Sequence, residues 1–116
     1  MSEAWNSEQV CKWLERRIEA ARLDQTAADK RGYAARDDYD IAAAEEWVCR
    51  NLMAAARRND QAAFADRIKH LLGQEDYPVT GVHDDRRFER NVRANLRKIA
   101  KMAKANTGFG NTLHFQ

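Results

Sequence analysis

The chain has 116 residues, enough for one domain and too few for a multidomain enzyme. One Pro and five Gly supply too few turns for an all-β sandwich or barrel, so composition points to an all-α chain. The net charge of +2 hides a segregation: residues 1–85 carry 12 Lys/Arg against 17 Asp/Glu, whereas residues 86–116 carry 8 against 1.

The first seventeen residues, MSEAWNSEQVCKWLERR, are charged throughout and lack the unbroken apolar stretch of a signal peptide or membrane span. The cytoplasm is therefore the expected compartment, and no membrane partner is expected. Ser7 is the expected N-cap of a first helix over about 8–31, with Glu8 in its first turn and Gly32 as its stop. Val10, Leu14, Ile18, Ala21 and Ala28 share one face of that helix, flanked by Cys11 and Trp13.

The acidic run Asp37, Asp38 and Asp40 suits the positive end of a helix dipole and opens a second helix over about 38–58. Its expected core stripe is Ile41, Ala44, Val48, Leu52 and Ala55, with Trp47 to one side, towards helix four or a second subunit. Asn59 or Asp60 caps a third, shorter helix over about 60–72, which turns Phe64, Ile68, Leu71 and Leu72 inward and stops at Gly73.

Residues 74–84 (QEDYPVTGVHD) hold the only Pro and form the one long loop, where a short extended piece is credible. Asp84 or Asp85 caps a last helix over about 85–105. The expected fold class is thus all-α, a small helical bundle of three to four helices with a basic amphipathic C-terminal helix. It forms a single helical domain over 1–106, followed by a C-terminal tail, 107–116, that carries Phe109, Leu113 and Phe115. These tail residues have no helical period, so the tail either folds back over the core or docks into a partner. Trp5, just before the first cap, either staples onto its helix or anchors an interface.

The core is thin. Leu, Ile, Val and Phe together number 20 of 116, matched by 20 Ala, so Trp5, Trp13, Trp47, Phe64 and Phe88 must supply much of the burial. A homodimer, or a partner that completes the core, is a natural expectation for such a chain.

The last helix carries the functional signal. Phe88, Val92, Leu96, Ile99 and Ala103 fall on one face, while Arg86, Arg90, Arg93, Arg97, Lys101 and Lys104 fall nearly opposite. Six cations aligned over about 27 Å repel one another, and after Asp85 only Glu89 compensates. Such a ridge matches the phosphates of nucleic acid or an acidic protein surface. The bland alternative is a solvated face of a core helix, neutralised by the acidic helices of the same bundle. Asp37, Asp38 and Asp40, with Glu45 and Glu46, form a candidate second, acidic interface, although helix capping accounts for the first three.

Other chemistry finds little support. Residues 61–68 (QAAFADRI) resemble in pattern the first helix of a helix-turn-helix, but Gly73, Pro78 and Gly81 occupy the stretch where a recognition helix would follow. There is no GxSxG, HExxH, P-loop or GxGxxG, and His70, His83 and His114 are scattered. The acidic run lacks the spacing and glycine of an EF-hand loop. Cys11 and Cys49 have no metal-ligand spacing and read as reduced, structural residues. No metal, cofactor or catalytic residue is expected. The expectation is a non-catalytic binding protein whose basic C-terminal helix engages an anionic partner, nucleic acid first. The alternative is a small protein-binding adaptor or inhibitor, of the phage or mobile-element type, that masks a partner protein's surface.

Overall fold

Asn6, rather than Ser7, starts the first helix: its side chain accepts the Gln9 N–H at 3.1 Å. In the computed structural model, which describes residues 4–110, four α-helices make up the fold and no strand occurs among the described residues. They are α1 (Ser7–Arg31), α2 (Arg36–Ala56), α3 (Gln61–Leu72) and α4 (Asp85–Ala105), with a single 3₁₀ turn at Tyr33–Ala35. The loop 74–84 contains no β-strand, although Asp84 itself is extended (φ −146°, ψ 109°).

Gly32 ends α1 at φ 86°, a conformation that costs a residue without Cβ little. The 3₁₀ turn then runs straight into α2, which therefore begins two residues earlier than its acidic run suggests. Asp60 caps α3 by accepting from the N–H groups of Ala62 and Ala63, and Asp84 caps α4 by accepting from that of Arg87 at 3.0 Å. At the far end of α4, Asn106 is left-handed (φ 51°). Its N–H donates to Ala103 and the next N–H, of Thr107, to Met102, which satisfies carbonyls the helix leaves open.

The chain after α1 doubles back, so α2 lies antiparallel to α1 and pairs Arg31 with Asp38 at the turn and Arg17 with Glu45 further along. α2 in turn packs on α4 and α3, which also pack on each other. α4 starts beside Asp40, near the beginning of α2, and its end receives the Gln61 amide on the Ala103 carbonyl at 2.6 Å. It therefore runs in the same sense as α2. The assembly is flat, 48 × 38 × 19 Å.

The core is continuous from Val10, Trp13 and Leu14 of α1 through Val48 and Leu52 of α2 to Phe64, Ile68 and Leu71 of α3 and Phe88, Val92, Leu96 and Ile99 of α4. One expectation about the core needs correction. Ile41 is 45% exposed, and its place on the inner side of α2 is taken by Asp40, one residue earlier and fully buried. Of the two alternatives for the tail, Phe109 takes the first and folds back into the core: Gly108 (φ 97°) turns the chain so that its ring meets Trp13 at 5.4 Å, Trp5 at 5.7 Å and Phe64 at 6.2 Å. Trp5 also packs on Phe64 at 5.4 Å, which ties the two ends of the chain into one aromatic cluster. Trp47 points towards helix four, with Tyr77 at 5.3 Å and Phe88 at 6.4 Å. Leu113, His114 and Phe115 lie outside the described residues.

Candidate functional site

The inner face of α4 is pinned by Phe88, Val92, Leu96, Ile99 and Ala103, all buried. That fixes the helix about its own axis, so the residues diametrically opposite must meet solvent. Arg86, Arg90, Arg97, Lys101 and Lys104 are all exposed there, with the exposed Ala94 and Ala105 alongside. None of the five forms an ion pair with another described residue. From Arg86 to Lys104 the row rises about 27 Å on a straight helix.

Arg93, by contrast, is withdrawn from the row. Its Nη1 donates to the Leu72 carbonyl at 2.8 Å and its Nη2 to the Gln74 carbonyl at 3.0 Å. It also pairs with Glu89 at 3.1 Å and lies over the Tyr77 ring at 5.0 Å. These carbonyls end α3 and begin the loop, so Arg93 caps a neighbouring helix rather than offering charge to a partner. Lys98, outside the expected row, is also exposed. Its only sequence signal was membership of the basic segment.

The start of α4 is held by Asp40. Its Oδ1 accepts the His83 N–H at 2.9 Å and lies 3.1 Å from His83 Nδ1, while its Oδ2 accepts the Asp84 N–H at 2.9 Å and Arg87 Nη1 at 2.8 Å. A buried carboxylate with this many donors is fully satisfied. Arg87 extends the network to Asp37 at 2.9 Å. The backbone N–H of Arg87, with smaller help from the Arg87 and Arg86 charges, holds the Asp84 carboxyl below its ordinary range.

The structure gives each of the five candidate acidic residues a partner within the bundle, although Asp37 and Asp38 stay exposed. Asp40 is inside, Asp37 meets Arg87, and Asp38 meets Arg31 at 2.9 Å. Glu45 receives a two-pronged bond from Arg17 at 2.8 and 2.9 Å. Glu46 accepts from Gln25 and Arg50, both at 2.7 Å. Partial burial pushes its carboxyl up, but these two donors outweigh it and leave the group below its usual range. No carboxylate of the five is left unpaired.

A second exposed feature sits at the α1–α2 turn. Tyr33 is 71% exposed, carries the Arg36 guanidinium over its ring at 4.3 Å, and meets the edge of His83 at 5.9 Å. Tyr39 meets the same imidazole at 5.5 Å. Together they line a hollow of about 170 Å³. Among the described residues no group of three or more His, Cys, Asp and Glu side chains is arranged to hold a metal ion, and no helix is long and apolar enough to cross a membrane.

In comparison with known proteins, no family model matches the chain, and no curated protein or solved structure matches it. The fold defines the class, an all-α helical bundle, and the site has to be read from its own chemistry.

Proposed function

We propose that the chain is a non-catalytic binding protein whose α4 ridge engages nucleic acid. One observation carries this reading: Arg86, Arg90, Arg97, Lys101 and Lys104 are exposed in a row without an ion pair among the described residues, in a bundle that pairs the carboxylates of its central helix within itself. A row of like charges raises the energy of the free protein, and an anionic partner releases that cost along with its own counterions. The charge is held by a helix whose opposite face is core, so the row is already straight before any partner arrives.

The test compares Arg90→Glu/Arg97→Glu/Lys101→Glu with the wild type and with a control reversal of two exposed lysines on other helices, Lys30→Glu/Lys69→Glu. Binding to a mixed-sequence duplex and its single strands is measured at several salt concentrations, with circular dichroism as the check on folding. The reading expects loss of binding in the ridge variant alone. Absence of wild-type binding at low salt overturns it.

Tyr33 favours a second reading, a protein-binding adaptor or inhibitor, because an exposed tyrosine stacked with an arginine beside a hollow is the composition of an interface anchor. In that reading Tyr33→Ala abolishes association with the partner protein, and salt has a much weaker effect.

A further inference from the structure

The composition of the ridge between its cations narrows the partner. Proteins that bind single strands stack successive bases on exposed aromatic rings. Among the described residues the ridge offers none: Ala94 lies beside it, Phe88 is buried against Trp47, and Tyr77 lies under Arg93. Adenine and cytosine edges are read chiefly by amides and carboxylates. The two amides of α4 are spent on their own helix, Asn91 on the Arg87 carbonyl and Asn95 on the Asn91 carbonyl, each at 2.8 Å. Glu89 is spent on Arg93. What remains exposed is charge on a rigid, straight support.

A double helix presents a matching object. It is stiff over about 150 base pairs and carries one phosphate charge per about 1.7 Å of axis, so a ridge of about 27 Å faces many phosphates without bending either partner. A flexible single strand would have to be straightened along the row, with no stacking to offset the lost freedom.

We infer that the α4 ridge binds double-helical nucleic acid through its phosphate backbone, without sequence preference. This rests on the nucleic-acid reading above and adds to it the form of the ligand and the mode of contact. Lys98, beside the row and exposed, is a sixth contact that leaves Arg93 out.

The experiment titrates the wild-type chain with a 20-base-pair DNA duplex, its sequence-scrambled counterpart, an RNA duplex and the single strands of each, at several salt concentrations. The expected result is that duplexes bind at least tenfold tighter than single strands, with scrambled duplexes within about threefold of each other. Log affinity against log salt should fall with a slope near −5 on DNA, as about six phosphate contacts require, and Lys98→Ala should reduce that slope by about 0.9. The DNA and RNA duplexes distinguish which helix form supplies the phosphates. Single strands binding as tightly as duplexes, or one duplex preferred tenfold over its scramble, overturns this inference while nucleic-acid binding stands. Binding to none of them at low salt overturns the nucleic-acid reading itself, and this inference with it.

Discussion

Asp40 of α2 and Arg87 of α4 meet at 2.8 Å across the bundle, the carboxylate fully buried and the guanidinium largely so. The pair joins the central helix to the basic one and sets where α4 begins, because Asp40 also holds the backbone of His83 and Asp84. Asp40→Ala takes the buried carboxylate from Arg87, which keeps only Asp37 and Asp84, and leaves the partly buried His83 and Asp84 N–H groups without their acceptor. It should cost about 3 to 5 kcal/mol in urea denaturation, the range for a buried pair that loses one partner. A loss under about 1 kcal/mol would show that the loop and Arg87 find other partners.

Arg93 and Arg97 sit one turn apart on α4 yet should respond oppositely. Arg93→Ala removes two carbonyl contacts, an ion pair and the cover of Tyr77, and should destabilise by about 1.5 to 3 kcal/mol. Arg97→Ala should stay within about 0.5 kcal/mol and act on nucleic-acid affinity instead. Equal effects of the two on stability would mean that the exposed row is also structural.

The contrast shows where sequence stops informing. Helical spacing placed the four helices, the aliphatic face of α4 and the exposed row, because each depends on the helix period alone. Arg93 shares the spacing of its neighbours and differs only through Leu72, Gln74 and Tyr77, which the chain brings from α3 and the loop. Asp40 has two aspartates within three positions. Nothing local marks it as the one that faces inward to meet a residue 47 positions away. Lys98 likewise became a site candidate only through its exposure.

Helix two makes the same point in a measurable form. Spacing alone puts Ile41 and Leu52 on one stripe, but near the start of α2 Asp40 takes the inner place against Arg87 and Ile41 is left 45% exposed, while Leu52, about three turns further along, is buried. Leu52→Ala should therefore cost about 2 to 5 kcal/mol. Ile41→Ala should stay within about 0.5 kcal/mol, as surface changes usually do. Thermal and urea unfolding of the two variants decide the matter, and a large cost at Ile41 would mean that this side of α2 is covered in solution by a second copy.

The cysteines offer a last test, of chemistry rather than packing. Burial pushes the Cys49 thiol up to about 12, and neither Arg17 nor Lys98 nearby brings it back. At pH 8 only about one thiol in ten thousand is then ionised, and the thiolate is the reactive form. Cys11 is also raised by burial, but it is only partly covered. A chromogenic disulfide reagent at pH 8 should label Cys11 first and Cys49 only on the timescale of unfolding, with the order lost in urea. Cys11→Ala/Cys49→Ala should keep both the fold and binding by the ridge, since neither sulfur lies in the row. Labelling of Cys49 in the folded chain at its unfolded rate would show that the α1–α2 seam opens readily, which the bidentate Arg17–Glu45 pair across it argues against.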